Sequence, residues 1–304
     1  VAETSASAGA STPDVAVAPT ALVRHAAVWA RLAAGVVVAL LGTLLLVKVV
    51  GSSGSGRPTT LPTPTSAAVL AAVTGVPASV FDAVGVRSPA VPVAALHGVT
   101  GVTPLTTTRD GRRVPVVLFV GTEFCSFCAA ERWPLVVALS RFGTFTSLSD
   151  AQSSAFGFAP NTPTFSFDGA SYHSDYLVFR PYETASSVLG RAGYRALMRE
   201  PASVRAVERR LDPTSTLPFV DVANLLDAPQ AALSPITFVG LGRDQVAAGL
   251  HDPANPVTRA IVAAANELTA AICAADGARP TSVCASPGVA AARAVLRHPS
   301  GAGR

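Results

Sequence analysis

Lysine is almost absent: Lys48 is the only one in 304 residues, so nearly all of the 23 basic side chains, set against 19 acidic ones, are arginine. A net charge of +4 spread so thinly is not the dense basic footprint that nucleic-acid binding needs, and no nucleic-acid partner is expected. Charge of either sign is scarce, 14% of the chain, while hydrophobic residues reach 49% and mean hydropathy is +0.43. That balance excludes a disordered chain and points to a membrane span. Cysteine is limited to four residues. In a chain long enough for one large or two modest domains, four cysteines exclude a disulfide-stapled miniprotein. No internal repeat is present, and the isolated Ser and His residues form no nucleophile elbow and no metal pair, so nothing supports a hydrolase.

Leu32 to Val47 carries no charge and is flanked by Arg31 and Lys48, whose stems can lie along lipid while their charges reach the headgroups. Residues 26–50 are therefore read as a single transmembrane helix in contact with the bilayer. A cleaved signal peptide is the competing reading, but a long segment precedes the apolar run and VVGSSGSGRP after it holds no A-x-A site. A buried soluble helix is disfavoured by the linker-like GSSGSGRPTTLPTPTS that follows. The expected organisation is a disordered cytoplasmic tail over 1–25, the span over 26–50, a flexible linker over 51–66 and a folded domain over 67–304. Arg24 and Arg31 on one side nearly balance Lys48 and Arg57 on the other, so charge does not orient the span and cysteine chemistry must.

Within the folded part, AAVLAAVTGVPASVFDAVG predicts short helices broken by Gly75 and Pro77, and Arg109-Asp110-Gly111 predicts a hairpin turn. Val114 to Val120 is a continuous apolar run of strand length, as in a strand buried on both faces. GTEFCSFCAAERWPLVVALSRFG then predicts a helix beginning at the cysteines, kinked at Pro134 and closed by Gly143. NTPTFSFDGASYHSDYLVF reads as two strands around Asp168-Gly169. SSVLGRAGYRALMREPASVRAVERRLD reads as Arg-rich helices separated at Pro201, carrying Arg191, Arg195, Arg199, Arg205, Arg209 and Arg210 on a solvated face. A strand follows Pro218, DQVAAGL starts a short helix, and NPVTRAIVAAANELTAAICAADG is read as a long amphipathic one.

The cysteines fall in two pairs. Cys125-Ser-Phe-Cys128 is C-x-x-C at a strand-to-helix junction, where unpaired amides and the helix dipole stabilise a thiolate on the first sulfur. Cys125 is the expected nucleophile. Cys128, one turn inside, is the expected resolving thiol, so that the pair cycles between dithiol and disulfide without a cofactor. A zinc half-site and an inert bridge are the competing readings. Zinc commonly needs a second such pair, Cys273 and Cys284 are spaced too widely for a knuckle, and His97, His173 and His251 are scattered, so no metal is expected. Cys273 to Cys284 is read as a structural disulfide closing a loop with Gly277 and Pro280. Compact cysteine pairs behind an anchor fit an oxidising exterior, which places the folded domain outside the cell membrane and the N-terminus in the cytoplasm.

The strand VPVVLFVGTEF, the C-x-x-C and the proline-containing helix resemble thioredoxin-like folds. More closely, GTEFCSFCAAERWPLVVALSRFGTF, NTPTFSF, PFVDVAN and the AAICAADGARPTSVC ending are similar to the bacterial and archaeal family called domain of unknown function 929, over roughly residues 70 to 290. The resemblance implies an α/β, thioredoxin-like fold with a helical insertion behind the single N-terminal transmembrane helix. It also implies a cis-proline loop lying against the cysteines and shaping the substrate groove. Pro218, before a strand and after a helical region as in DsbA-like members, and Pro163, in a thioredoxin-like local text, are its two candidates. Phe124 stands where thioredoxins usually have Trp, Ser126-Phe127 where they have Gly-Pro, and Phe119 where many carry a buried aspartate. Phe124 and Phe127 are thus groove candidates. Glu123, matching an acidic position in some thioredoxins, is the candidate proton-handling group, with a solvated loop carboxylate as the alternative.

Glu131 and Arg132 are expected to meet the cysteine rim or form an ion pair, Trp133 to sit in the core, and Tyr172, His173 and Tyr176 to form a surface patch. The expected function is a membrane-anchored thiol-disulfide oxidoreductase. Its partners would be protein thiols and disulfides and, as a further candidate, a membrane electron donor or acceptor. The alternative is a redox-inert thioredoxin-fold binding or assembly module.

Overall fold

Gly75 and Pro77 interrupt the first apolar stretch, and the left-handed pair Asp110 (φ 47°) and Gly111 (φ 73°) reverses the next, so short helices lead into a hairpin. The computed structural model describes residues 63–86, 97–98, 101–228 and 231–297, all within the compact unit Arg57–Arg304. The expected tail, the span over 26–50 and most of the linker lie outside the described residues. In chain order the elements are β1 (Thr63–Pro64), α1 (Ala67–Thr74), α2 (Ala78–Val84), β2 (His97–Gly98), β3 (Thr106–Arg109), β4 (Arg112–Gly121) and α3 (Ser126–Leu139). There follow β5 (Gly143–Gln152), β6 (Pro163–Ser174), β7 (Val178–Glu183), β8 (Ala185–Gly190), β9 (Gly193–Ala196), α4 (Ala202–Leu211), β10 (Phe219–Val222) and β11 (Leu226–Ala228). A 3-10 turn at Pro235–Phe238 leads to α5 (Arg243–Gly249), α6 (Pro256–Ala275), α7 (Thr281–Cys284) and α8 (Pro287–Arg297).

The architecture is mixed α/β. In the central sheet β4 pairs in parallel with β7 from Val116↔Val178 to Gly121↔Glu183, and antiparallel with β10 from Phe219↔Val120 to Val222↔Val117. β11 and β2 extend the sheet beyond β10, and β3 pairs with the first residues of β4. The apolar run of β4 is buried on both faces, as its composition predicts. Val117 and Phe119 join the core formed with Trp133 and Leu135 of α3 and Ile261 and Leu268 of α6. Val116, Leu118 and Val120 pack with Phe219 and with Val204 of α4. Each such side chain contributes about 1.5–3 kcal/mol by leaving water.

A second sheet has the order β1-β5-β6, with Thr63 and Pro64, the end of the stretch read as linker, pairing with Asp150 and Ser149. α6 starts at Pro256 behind an Asn255 cap whose side chain accepts from the Val257 and Thr258 amides. It is the one described helix long and apolar enough to cross a membrane, and it is mostly buried in the core rather than amphipathic at a surface.

Four expectations are corrected. Asp168-Gly169 is no hairpin turn: β6 runs from Pro163 to Ser174, and the residues between Ser166 and Ser171 bulge out where the register with β5 shifts. Residues 185–196 are a β-hairpin turning at Arg191-Ala192 between two glycines, so Arg191, Arg195 and Arg199 are not helical and α4 holds only Arg205, Arg209 and Arg210. The insertion between α3 and β10 is therefore mainly strand. Finally, α3 ends at Leu139, and Gly143 opens β5 opposite Ser174 instead of capping the helix; the strand position requires glycine, since a Cβ there would lie 2.2 Å from the His173 carbonyl oxygen.

Candidate functional site

The junction of β4 and α3 places Cys125 at the N-cap, in extended backbone, with its sulfur accepting the Cys128 amide N–H at 3.2 Å. Cys125 is half-buried and Cys128 fully buried, and both are free thiols. The Cys128 thiol, donating to the Cys125 sulfur, is the largest influence bringing Cys125 down to about 7; burial opposes it, and the Cys128 and Phe127 amides and the Arg132 charge assist. Burial, reinforced by the neighbouring Cys125, pushes Cys128 well above the ordinary thiol range. One sulfur ionises readily while the other keeps its proton. That asymmetry suits an attacking and a resolving thiol.

Beneath the sulfurs lies a buried charge cluster. Arg132, one turn beyond Cys128 on α3, donates from Nε and Nη2 to the two carboxylate oxygens of Glu183 at 2.7 and 2.6 Å, and from Nη2 to the Thr122 carbonyl at 2.8 Å. Arg132 pairs with Glu183 rather than with its neighbour Glu131, which instead accepts the Ala232 amide at 2.6 Å. Glu123 is not a solvated loop carboxylate: it is 2% exposed and accepts from Ser166 Oγ at 2.5 Å and from the Ser187 amide at 3.2 Å. Burial raises its pKa, opposed by the Ser166 bond and reinforced by Glu183. No hydrogen bond joins Glu123 to either cysteine, so its expected proton-handling role would need a relay or a movement.

Around Cys125 the groove candidates separate. Phe124 stacks on Tyr194 (4.2 Å, 11°), whose hydroxyl donates to Ser154 Oγ at 2.7 Å. Phe127 is 41% exposed and stacks on Phe158, itself 56% exposed, at 5.5 Å, with the exposed Phe156 on the same loop. The Leu217-Pro218 peptide is cis, and Pro218 immediately precedes β10, whose first residue, Phe219, pairs with Val120 near the end of β4. Pro163 has no cis bond; it opens β6, and its carbonyl accepts Trp133 Nε1–H at 2.9 Å deep in the core. An open cleft of about 340 Å³ lies along Pro163, Leu241 and Arg243 and includes neither cysteine.

Farther away, Cys273 and Cys284 form a disulfide, their Cα atoms 5.6 Å apart, across a loop that contains a second cis peptide, Arg279-Pro280. Tyr172 is not part of a surface patch: its hydroxyl donates to the Leu139 carbonyl at 2.9 Å, whereas His173 is exposed beside Arg109 and Asp175. Among the described residues no three His, Cys, Asp or Glu side chains gather as a metal site. The sequence reading missed Glu183, Ser166, Tyr194 and Phe158, which reach the site only through strand register and loop packing.

Residues 102–191 match the family described as Domain of unknown function (DUF929). This bears out the family resemblance over a shorter stretch than the expected 70 to 290. The DUF929 segment includes β4, the C-x-x-C, Glu123, Arg132 and Glu183, and stops short of Pro218 and the disulfide. No curated protein and no solved structure matches the chain.

Proposed function

We propose that this chain is a thiol-disulfide oxidoreductase of thioredoxin-like fold, exchanging disulfides with protein thiols through Cys125 and Cys128. The observation that carries the reading is the asymmetry of the pair: a half-exposed sulfur at a helix N-terminus accepting an amide N–H, over a second thiol sealed beneath it. The fold reading is supported by the strand sequence β7-β4-β10-β11, parallel then antiparallel, and by the cis Pro218 leading into β10. Cys125 thiolate attacks one sulfur of a client disulfide, forming a mixed disulfide and releasing the other client sulfur as a thiolate, which takes a proton. Cys128, giving up its proton, attacks Cys125 Sγ and expels the second client thiolate. Two electrons pass from the Cys125/Cys128 dithiol to the client, and the reverse sequence oxidises a client dithiol. The exposed Phe127, Phe156 and Phe158 favour apolar protein segments over small hydrophilic thiols as clients.

The same reading includes an anchor over residues 26–50 and an oxidising exterior, supported by the Cys273–Cys284 disulfide, with a membrane dithiol or disulfide partner resetting the pair. Free thiols at Cys125 and Cys128, beside a bridged second pair, support exchange over the redox-inert module. The test is a Cys128→Ser variant incubated with insulin as a protein disulfide. A mixed disulfide through Cys125 is expected to accumulate, and to vanish in Cys125→Ser/Cys128→Ser. No adduct, together with no reduction of insulin by the unaltered dithiol form, would overturn the reading.

A further inference from the structure

Arg132 is the only cation buried against the cysteine junction among the described residues, and its side chain is 0% exposed, as is that of Glu183. We propose that Arg132, clamped by Glu183, is the positioning cation of the cysteine pair, fixing the turn that carries Cys125 and supplying the positive charge that favours its thiolate. The inference deepens the exchange reading and rests on it for its purpose.

Geometry ties the guanidinium to the sulfurs through several elements. The Thr122 carbonyl that accepts Arg132 Nη2 also accepts the Cys125 amide at 3.4 Å, so cation and nucleophile share one acceptor. Glu183 is placed by β7 opposite Gly121, the last residue of β4, where a Cβ would come within 3.4 Å of Cys128 Sγ. The Glu183 carboxylate is itself oriented by the Phe167 amide at 3.2 Å, next to the Ser166 hydroxyl that holds Glu123. Arg132 Nη1 is buried with no hydrogen-bond partner, a donor left unused in the dithiol state. An orphaned buried donor is costly, and negative charge developing nearby would offset that cost.

The charged and titratable groups around the guanidinium are Glu183 from β7, Glu123 from the turn after β4, and Cys125 and Cys128 from the start of α3. Glu183 neutralises most of the cation at close range, yet the Arg132 charge still acts on both sulfurs in the direction of ionisation. A fixed, water-excluded cation that needs no reorganisation is suited to act on a sulfur whose charge appears and disappears.

The experiment compares the full chain with Arg132→Lys, Arg132→Met and the double variant Arg132→Met/Glu183→Leu, which replaces the ion pair with apolar side chains so that neither partner is left buried alone. The readout is the pH dependence of iodoacetamide alkylation at Cys125, followed by mass spectrometry. Removing the cation is expected to move the midpoint up by about half a pH unit, less than the loss of the Cys128 thiol would, with Arg132→Lys restoring part of it. A folded double variant with an unmoved midpoint would overturn the proposal, even while the mixed-disulfide trap still works. Loss of the trap with a midpoint that responds to Arg132 would instead count against the exchange reading.

Discussion

Replacing Cys128 tests the origin of the Cys125 thiolate most directly. With Cys125 near 7 instead of the ordinary 9.0, half of it is ionised at pH 7, whereas an ordinary thiol is about 1% ionised, a gain of about 50-fold in thiolate. A less basic thiolate is also a weaker nucleophile. With a Brønsted coefficient of about 0.4–0.5, two units lower cost about 6- to 10-fold in intrinsic reactivity. Alkylation at pH 7 should therefore run about 5- to 8-fold faster than at an ordinary thiol, with a pH midpoint near 7. The Cys128 thiol is the largest cause of the lowering, so Cys128→Ala should move the midpoint towards the ordinary range while Cys128→Ser, which keeps a donor, should hold it near 7. The sign carries over to stability. Between pH 7 and 9 the unfolded chain binds more protons at Cys125 than the folded one, so the Cys125 contribution to the stability of the reduced form grows as pH rises and is lost as pH falls through 7, while the raised Cys128 thiol opposes it as pH nears and passes 9. A wild-type midpoint at 8.5 or above, or one indifferent to Cys128→Ala, would refute the reasoning.

Two further outcomes are expected from stability measurements. The Asn266 side-chain amide on α6 donates to the Phe81 and Gly85 carbonyls at 2.9 and 2.7 Å, so Asn266→Ala should cost about 1–3 kcal/mol in urea unfolding, and an unchanged midpoint would contradict that pinning role. The Cys273–Cys284 bridge closes a sequence separation of 11 residues, so Cys273→Ala/Cys284→Ala should lower the unfolding free energy by about 3 kcal/mol through loop-closure entropy; a loss well under 1 kcal/mol would show that the loop is held by packing alone.

What the sequence makes legible here is whatever depends on neighbours in the chain. The double-sided burial of Val114 to Val120 follows from an unbroken apolar run, and the Cys125 cap follows from a C-x-x-C placed just after it. Readings failed where long-range pairing outweighed local composition. Ala, Leu and Arg across 185–196 favour a helix, yet the glycines at 190 and 193 close a hairpin whose Tyr194 stacks on Phe124. Asp168-Gly169 has turn chemistry, but the strand continues past it because β5 supplies partners on both sides of the bulge. Glu183 is invisible as a site residue from spacing alone: only the parallel register of β7 against β4 brings it to Arg132, 51 positions away. Arg132 itself lies within reach of the cysteines by helical spacing, but its partner does not.

The two cysteine pairs differ in where each sits on its helices, and in the stability each position lends to a thiolate. Cys125 stands before the first turn of α3, where free amides and the positive end of the helix favour a thiolate, and a stabilised thiolate makes the disulfide it could form easier to reduce. Cys273 lies in the last turn of the long helix α6, at its carbonyl end, where a thiolate is disfavoured and the bridged state is the better alternative, and Cys284 closes the single turn α7. Burial acts in the same direction, since Cys273 and Cys284 are both sealed from attack whereas Cys125 is not. A compartment oxidising enough to hold the second pair closed can therefore leave the first within reach of exchange. On the exchange reading, helix polarity and exposure are what set Cys125, open to attack at a helix N-terminus, apart from the sealed Cys273–Cys284 bridge.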